Sequence, residues 1–493
     1  MPGSWSTGSL PRRPGAYFNF KAQPAVLVPP AVGAVVAVPF TTNWGPLESA
    51  VALNSFSDYV AIFGNDVDQP GYRAVRQVFR GEAVRGRRGA GQVIAYRMGG
   101  TSAAKATVNL INTATNPGLR VDAIYQGARG NNLRVTIQTD PVDATKKDLI
   151  VLDGLTEVER FVYNPVGATA LAALATQING ISDWVTVTVL TDGVALNSVA
   201  SVPLAGGDSG TTLVAQDWTD MMAALETFRY GYLVPFDLTD GSILTSVKTW
   251  VQNANTKGRR FFLVVGGALN ETVSTAITRS GTLNDPDIVN VGVGSVRDDE
   301  MLDSNGNPVI LSTSQFAPRI AGIMSALGEN RSLTGARIGG VTHLNGATES
   351  GIDAAYDGGV LVLSRDSDPD APVHVEKGIS TYTQTASSDR PYEIFKNPKF
   401  VRTMHDLQTE ISEYVASNVI GQLPVNSRTR SGIVAYVSTL LQAREDNEAV
   451  QSGWTVAVSA EPPPSDDDEF VALDLNLGFG RSTEQVLLNV GVR

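Results

Sequence analysis

Apolar residues recur along this chain with two different periods, and the switches between them divide it into regions. The stretch from Ala22 to Leu47 carries no charge and reads as buried strands separated by Pro and Gly turns. Next, Ser55-Phe56-Ser57-Asp58 has capping-box spacing, and Phe56, Tyr59, Val60 and Phe63 lie on one helical face before Gly64. A second helix is predicted after Pro70, with Tyr72, Val75 and Phe79 on one face and Arg73, Arg76 and Arg80 on another. A strand from Gln92 to Met98 then closes a small α/β unit, residues 25–100.

Over residues 101–207 the period drops to two. Leu119, Val121, Ala123 and Tyr125 alternate, as do Leu133, Val135 and Ile137, and the turn from Gly127 to Asn132 between them predicts a hairpin. Strands at Leu149 to Leu152, Phe161 to Tyr163 and Trp184 to Leu190, with one helix near Ala168 to Ile178, complete a sandwich-like β domain. Over residues 208–370 helices and strands alternate, which predicts a parallel sheet covered on both faces. Its helices are marked by Trp218, Met221 and Leu225, by Leu244, Val247 and Val251, and by Phe316, Ile320, Ile323 and Leu327. Its strands are Tyr230 to Phe236, Arg260 to Val265 and Asp287 to Val296.

Residues 371–478 read as an α+β domain. Strands precede and follow two amphipathic helices, one marked by Val401, Met404, Ile411, Tyr414 and Val415 and the other by Ile433, Tyr436, Val437, Leu440 and Leu441. The run Glu461-Pro462-Pro463-Pro464-Ser465-Asp466-Asp467-Asp468-Glu469 is a solvated connection before the strand Phe470 to Leu477.

The two ends, residues 1–24 and 479–493, also read as strands, without a local partner. Val486, Leu488, Val490 and Val492 occupy one face of a strictly alternating segment, and Tyr17, Phe18 and Phe20 form an aromatic extended stretch. Chain ends fray unless something holds them, and the edge of another molecule's sheet is one natural partner.

Composition narrows the function. A net charge of −12 over 493 residues argues against binding a phosphate backbone, so nucleic acid is not expected as a partner. Pro24, Pro29, Pro30 and Pro39 break the uncharged N-terminal stretch as a membrane span, and Met1 to Pro14 lacks the pattern of a secretory signal. With no cysteine, thiolate and iron–sulfur chemistry are excluded. The three histidines, His343, His374 and His405, show no metal-ligand spacing. Asp366, Asp368 and Asp370 imitate the opening of a calcium loop but lack its Gly and its Glu. Gly292 and Gly294 lack the third glycine of a dinucleotide fingerprint, and no phosphate loop occurs. No cofactor is expected. A hydrolase on the α/β domain would have His343 as its candidate base. Arg73, Arg76, Arg80, Arg85, Arg87, Arg88 and Arg97 form either a solvated face or a surface that meets an acidic neighbour such as Asp466 to Glu469.

Five short motifs in order then resemble the contractile phage tail sheath protein family. They are Arg13 to Phe20, Val38-Pro39-Phe40 with Trp44-Gly45-Pro46, Gly127 to Asn131, Pro203 to Gly210, and Val375 to Thr381. The resemblance implies a non-enzymatic structural subunit of a virion tail or tail-like particle, assembled in the bacterial cytoplasm. Such subunits stack as six-membered rings around a tail tube, between baseplate and tail terminator proteins, and contract to drive the tube through an envelope. It also implies a subtilisin-like layering of the α/β domain, and residues 9–21 and 485–493 are expected to be strands exchanged between subunits. Flexible connections are expected at Ala22 to Ala25 and at Gly478-Phe479-Gly480. Arg402, Asp406, Glu410 and Glu413, on the polar face of the first C-terminal helix, are the candidate tube contact. A hydrolase, or another self-assembling shell or surface-layer protein, is the alternative.

Overall fold

A strand that is buried at every position needs neighbours on both edges and layers on both faces, and Val35–Phe40 is such a strand. The computed structural model describes residues 3–4, 17–18, 34–82, 89–365, 371–383, 392–459 and 471–481. The chain forms two units, Met1–Ala31 and Val32–Arg493. In the first, β1 (Gly3–Ser4) pairs in parallel with β2 (Tyr17–Phe18).

The second unit begins with β3 (Val35–Phe40), β4 (Ala50–Leu53), α1 (Phe56–Phe63), α2 (Pro70–Arg80) and β5 (Gln92–Arg97). The predicted capping box is present at α1: the Asp58 N–H donates to Ser55 Oγ and the Ser55 N–H to the Asp58 carboxylate. A β-sandwich follows, with β6 (Thr107–Ile111), β7 (Pro117–Ala123), β8 (Leu133–Thr139), β9 (Lys147–Asp153), β10 (Thr156–Tyr163), α3 (Ala170–Ile181), β11 (Val185–Val189) and β12 (Val199–Pro203). Its sheets have the orders β10-β9-β8-β12 and β11-β7-β6. The predicted hairpin is therefore corrected, because β7 and β8 lie in opposite sheets and the Gly127 turn crosses between them. Leu119, Val121, Leu133 and Val135 all face one core, so alternation located the buried face correctly but left open which strand is the partner.

The central region holds α4 (Ala215–Leu225), β13 (Tyr232–Leu233), α5 (Gly241–Thr256), β14 (Phe262–Gly266), α6 (Val273–Leu283), β15 (Ile288–Gly292), β16 (Ser295–Leu302), β17 (Pro308–Ser312), α7 (Thr313–Ala326), β18 (Arg337–Ile338), β19 (Val341–Leu344), α8 (Glu349–Asp357), β20 (Leu361–Ser364) and β21 (Val373–Val375). Together with the first strands it builds one nine-stranded sheet, β18-β21-β20-β15-β14-β13-β3-β5-β4. Residues 25–100 are thus not a separate domain: β3 pairs in parallel with β13, Val36 opposite Tyr232. The sheet is parallel from β20 to β5 and antiparallel at its margins. Val36, Val38 and Phe40 pack on one face with α1, α2 and α7, while Val35 and Ala37 pack on the other with α4 and α5. The predicted strand Asp287 to Val296 divides into β15 and β16, which belong to different sheets.

The chain then forms α9 (Tyr392–Phe395), α10 (Pro398–Asn418), α11 (Ser427–Asp446), β22 (Thr455–Val458) and β23 (Leu473–Asn476). Leu407, Ile433, Val437 and Leu441 make the core between α10 and α11, and Val456 and Leu473 of the ribbon pack against it.

Candidate assembly interface

Among the described residues, β22 and β23 pair only with each other, Thr455 opposite Asn476 and Val458 opposite Leu473. A two-stranded ribbon is marginal in water, and among the described residues no strand pairs with its outer edges. The chain leaves this ribbon toward the C-terminal arm along a fixed path. Val450 bridges Phe479, Phe479 stacks on Phe400 at 5.3 Å, and Lys399 Nζ donates to the Gly480 carbonyl at 2.6 Å. A Cβ on Gly480 would lie 2.0 Å from the Glu448 carbonyl oxygen. The expected flexible joint at Gly478-Phe479-Gly480 is thus pinned by close backbone packing. Of the candidate arm residues, Tyr17 and Phe18 form β2, whereas Phe20, Val486, Leu488, Val490 and Val492 lie outside the described residues, as does the Ala22 to Ala25 connection.

The four candidate tube contacts do not form a solvent face. Arg402 is buried and donates to the carbonyls of Met324, Gly328 and Arg331, closing the end of α7. Asp406 is partly buried, and burial, then the nearby Glu329, pushes its carboxyl up to about 6 against the attraction of Arg402. Glu410 pairs with Arg444 at 3.0 Å, and Glu413 pairs with Arg229. The charged stripe looked solvated in sequence because its partners come from distant segments. Arg402 and Asp406 face inward because α10 packs against the central layer, where His405 Nε2 meets Asp287 at 2.9 Å, whereas Glu410 and Glu413 stay partly exposed. Burial opposes the Asp287 charge, but the bond to His405, then Asn255 and the Arg260 charge, hold its carboxyl below the usual range.

Asp406 gives a testable pH dependence. Its folded pKa lies above the unfolded value, so the folded chain keeps a proton that the unfolded chain releases. That contribution is complete below about pH 4 and is lost as the pH rises through about 6. Asp406→Asn should therefore stabilise the protein at pH 7 by about 1–2 kcal/mol and flatten its stability profile between about pH 4 and 6. Urea titrations at a series of pH values measure this.

The described arginines of the cluster are engaged within the chain. Arg73 pairs with Asp68, Arg76 donates to the Glu300 carbonyl, Arg80 pairs with Asp298, and Arg97 binds three carbonyls, while Arg85, Arg87 and Arg88 lie outside the described residues. Sequence reading missed a related device. The Arg129 guanidinium lies 5.6 Å from the Trp44 ring and 5.2 Å from that of Trp184, joining the loop after β3 to the sandwich. The presence of Trp44 beside a glycine turn was the available signal.

Catalytic geometry does not assemble at the histidines. His343 Nε2 is held by the Val293 carbonyl, and burial keeps the ring below its ordinary pKa. His374 uses one nitrogen, Nε2, toward both Ser364 at 3.0 Å and Glu376 at 3.3 Å, whereas a triad needs the acid on the opposite ring nitrogen. The described residues contain no group of three potential metal ligands, and no described helix is long and apolar enough to cross a membrane. The Asp366 to Asp370 run lies outside the described residues.

Residues 99–209 match the phage tail sheath protein beta-sandwich domain and residues 212–381 the phage tail sheath protein central domain, together more than half of the chain. The uncharacterised protein YqbK of Bacillus subtilis strain 168 is 22% identical over 511 residues, covering 100% of this chain and 99% of that protein. The fold is similar to the crystal structure of a sheath tail protein from Desulfitobacterium hafniense, with a TM-score of 0.69 and 18% identity over 94% of this chain and 100% of that one. It is also similar to the contracted helical sheath of the anti-feeding prophage, with a TM-score of 0.53 and 14% identity over 97% and 98% of the two chains. The two domain matches lie in order on the sandwich and on the central sheet, and a full-length structural likeness surrounds them: the chain belongs to the phage tail sheath protein family.

Proposed function

We propose that this protein is the repeating subunit of a contractile sheath, stacked as hexameric rings around a tail tube between a baseplate and a terminator. In this reading residues 9–21 and 485–493 are arms that add as strands to neighbouring subunits, and the outer edges of β22 and β23 receive them. The observation that carries the proposal is that ribbon, which among the described residues has no further strand on either edge and lies beside the segment leading to residues 482–493. Each added backbone hydrogen bond nets only about 0.5–1.5 kcal/mol, but two arms per subunit make a multivalent mesh. The parallel sheet with helices on both faces supports a subtilisin-like layering, which carries no implication of activity. Contraction then moves subunits as rigid bodies while the strands stay paired. The particle is a virion tail or a tail-like device, assembled in the cytoplasm. For tube contact on α10, Glu410 and Glu413 are the two proposed residues that keep substantial exposure, 44% and 51% of their side chains.

A variant lacking residues 481–493 should keep its circular dichroism spectrum yet form no tubes by electron microscopy. Normal tubes would sink the strand-exchange reading, and flat lattices from the full chain would favour a surface layer.

A further inference from the structure

Of the arginines of residues 73–97, the four that the structure describes, Arg73, Arg76, Arg80 and Arg97, are committed inside their own chain, and the sequence carries a run of four acidic residues, Asp466 to Glu469. A second cationic site suits it. Phe228, Arg229, Tyr230, Arg259, Arg260 and Phe261 surround a cavity of about 150 Å³ that opens between the central layer and α10, where Ser412 and Glu413 form the opposite wall. Arg259 donates to the carbonyls of Leu225 and Phe228 and lies over the Tyr230 ring at 6.0 Å, and among the described residues it has no carboxylate in an ion pair. The Nε of Arg260 is buried with no hydrogen-bond partner. Arg229 pairs with Glu413, but the two side chains are 72% and 51% exposed, so the pair is open to exchange for another carboxylate. Lys257 stands exposed just before Gly258, which adds to the cationic rim of a chain whose net charge is −12.

We propose that this pocket docks the segment Pro462 to Glu469 of a second copy of the chain. The half-buried Phe228 flanked by arginines fits a proline run followed by carboxylates: prolines offer a preordered apolar ridge, and arginines bind carboxylates through paired donors. Pro462-Pro463-Pro464 followed by Asp466-Asp467-Asp468-Glu469 has that order. The segment also connects β22 to β23, and that connection far exceeds the ~2–5 residues of an ordinary hairpin loop, a length that usually has a use beyond turning the chain. The placement of a second copy rests on the sheath reading.

The absence of cysteine makes a cross-linking test clean. Full-length Ser412→Cys and Ser465→Cys proteins, mixed and oxidised, should give a disulfide-linked heterodimer at a yield about tenfold above that of Ser412→Cys mixed with an exposed control, Thr176→Cys. Adding Arg259→Glu and Arg260→Glu should abolish the excess, and about 0.5 M salt should reduce it. Yield at the control level, or yield unchanged after Asp466, Asp467 and Asp468 are each replaced by Asn, overturns the proposal. So does an efficient cross-link confined to single chains of the double variant, which would mean that the segment docks on its own subunit. Electron microscopy keeps the two readings apart: tubes without the cross-link overturn the docking alone, and the cross-link without tubes overturns the sheath reading alone.

Discussion

Arg97→Leu is expected to cost about 3–5 kcal/mol of stability, among the largest effects of any single substitution in this chain. Arg97 ends β5 with its side chain fully buried. Its Nε donates to the Thr42 carbonyl at 3.0 Å, and Nη1 donates to those of Gly45 at 2.6 Å and Gln126 at 2.7 Å. Burial lowers its pKa to about 10, which still leaves the guanidinium charged at neutral pH. Leucine would fill much of the volume but leave the carbonyls without a donor in a dry site, at about 1–3 kcal/mol each where no water enters. Arg97→Lys should recover only part of the loss, because an ammonium cannot reach three acceptors arranged for a planar fork. Urea unfolding monitored by tryptophan fluorescence measures both, and a loss below about 1 kcal/mol for Arg97→Leu would contradict the argument.

The functional meaning lies in which parts Arg97 joins. Thr42 and Gly45 belong to the loop leaving the central sheet, and Gln126 belongs to the sandwich. Trp44, in the same loop, contributes to the sandwich core and packs edge-on against Tyr125 at 5.3 Å. Sandwich and sheet are therefore joined by buried contacts, as the rigid-body movement proposed above requires. Limited proteolysis of Arg97→Leu should cut first near residues 41–49 and 126–127, which the parent protein protects.

How much of this was legible in the sequence depends on the range over which each interaction acts. The α1 capping box, the amphipathic α2 and the two long C-terminal helices are set by residues three or four apart, and their patterns carry them. Pairing between distant strands is different. Nothing in Val35–Phe40 names β13 as its neighbour, and nothing in the Gly127 turn says that the chain crosses between sheets rather than turning back within one. The candidate tube stripe misled for the same reason: Arg402 and Asp406 are polar at helical spacing, and only the carbonyls at the end of α7 and the charge of Glu329 make them interior. The pocket around Arg260 was invisible because its walls come from residues 228–230, 258–261 and 409–413.

Gly322→Ala, a change that usually stabilises a helix by about 1 kcal/mol, is expected here to destabilise by about 2–4 kcal/mol. Gly322 lies in α7, a helix buried at nearly every position because α2 covers one side and the central sheet another. A Cβ there would stand 2.2 Å from the Val78 carbonyl oxygen and 3.0 Å from its carbon. Val78 cannot retreat freely: its carbonyl accepts the Ala90 N–H at 3.1 Å, and a Cβ on Gly89 would meet the same oxygen at 1.8 Å. Relief would require α2 to move away from α7 and so open the core shared by Val75, Val78, Phe316 and Ile320. Helix propensity and close packing predict opposite signs, so one urea titration decides between them. A stabilised Gly322→Ala would show that α2 and α7 can separate at little cost, and that this face of the central sheet is less rigid than the proposed rigid-body contraction requires.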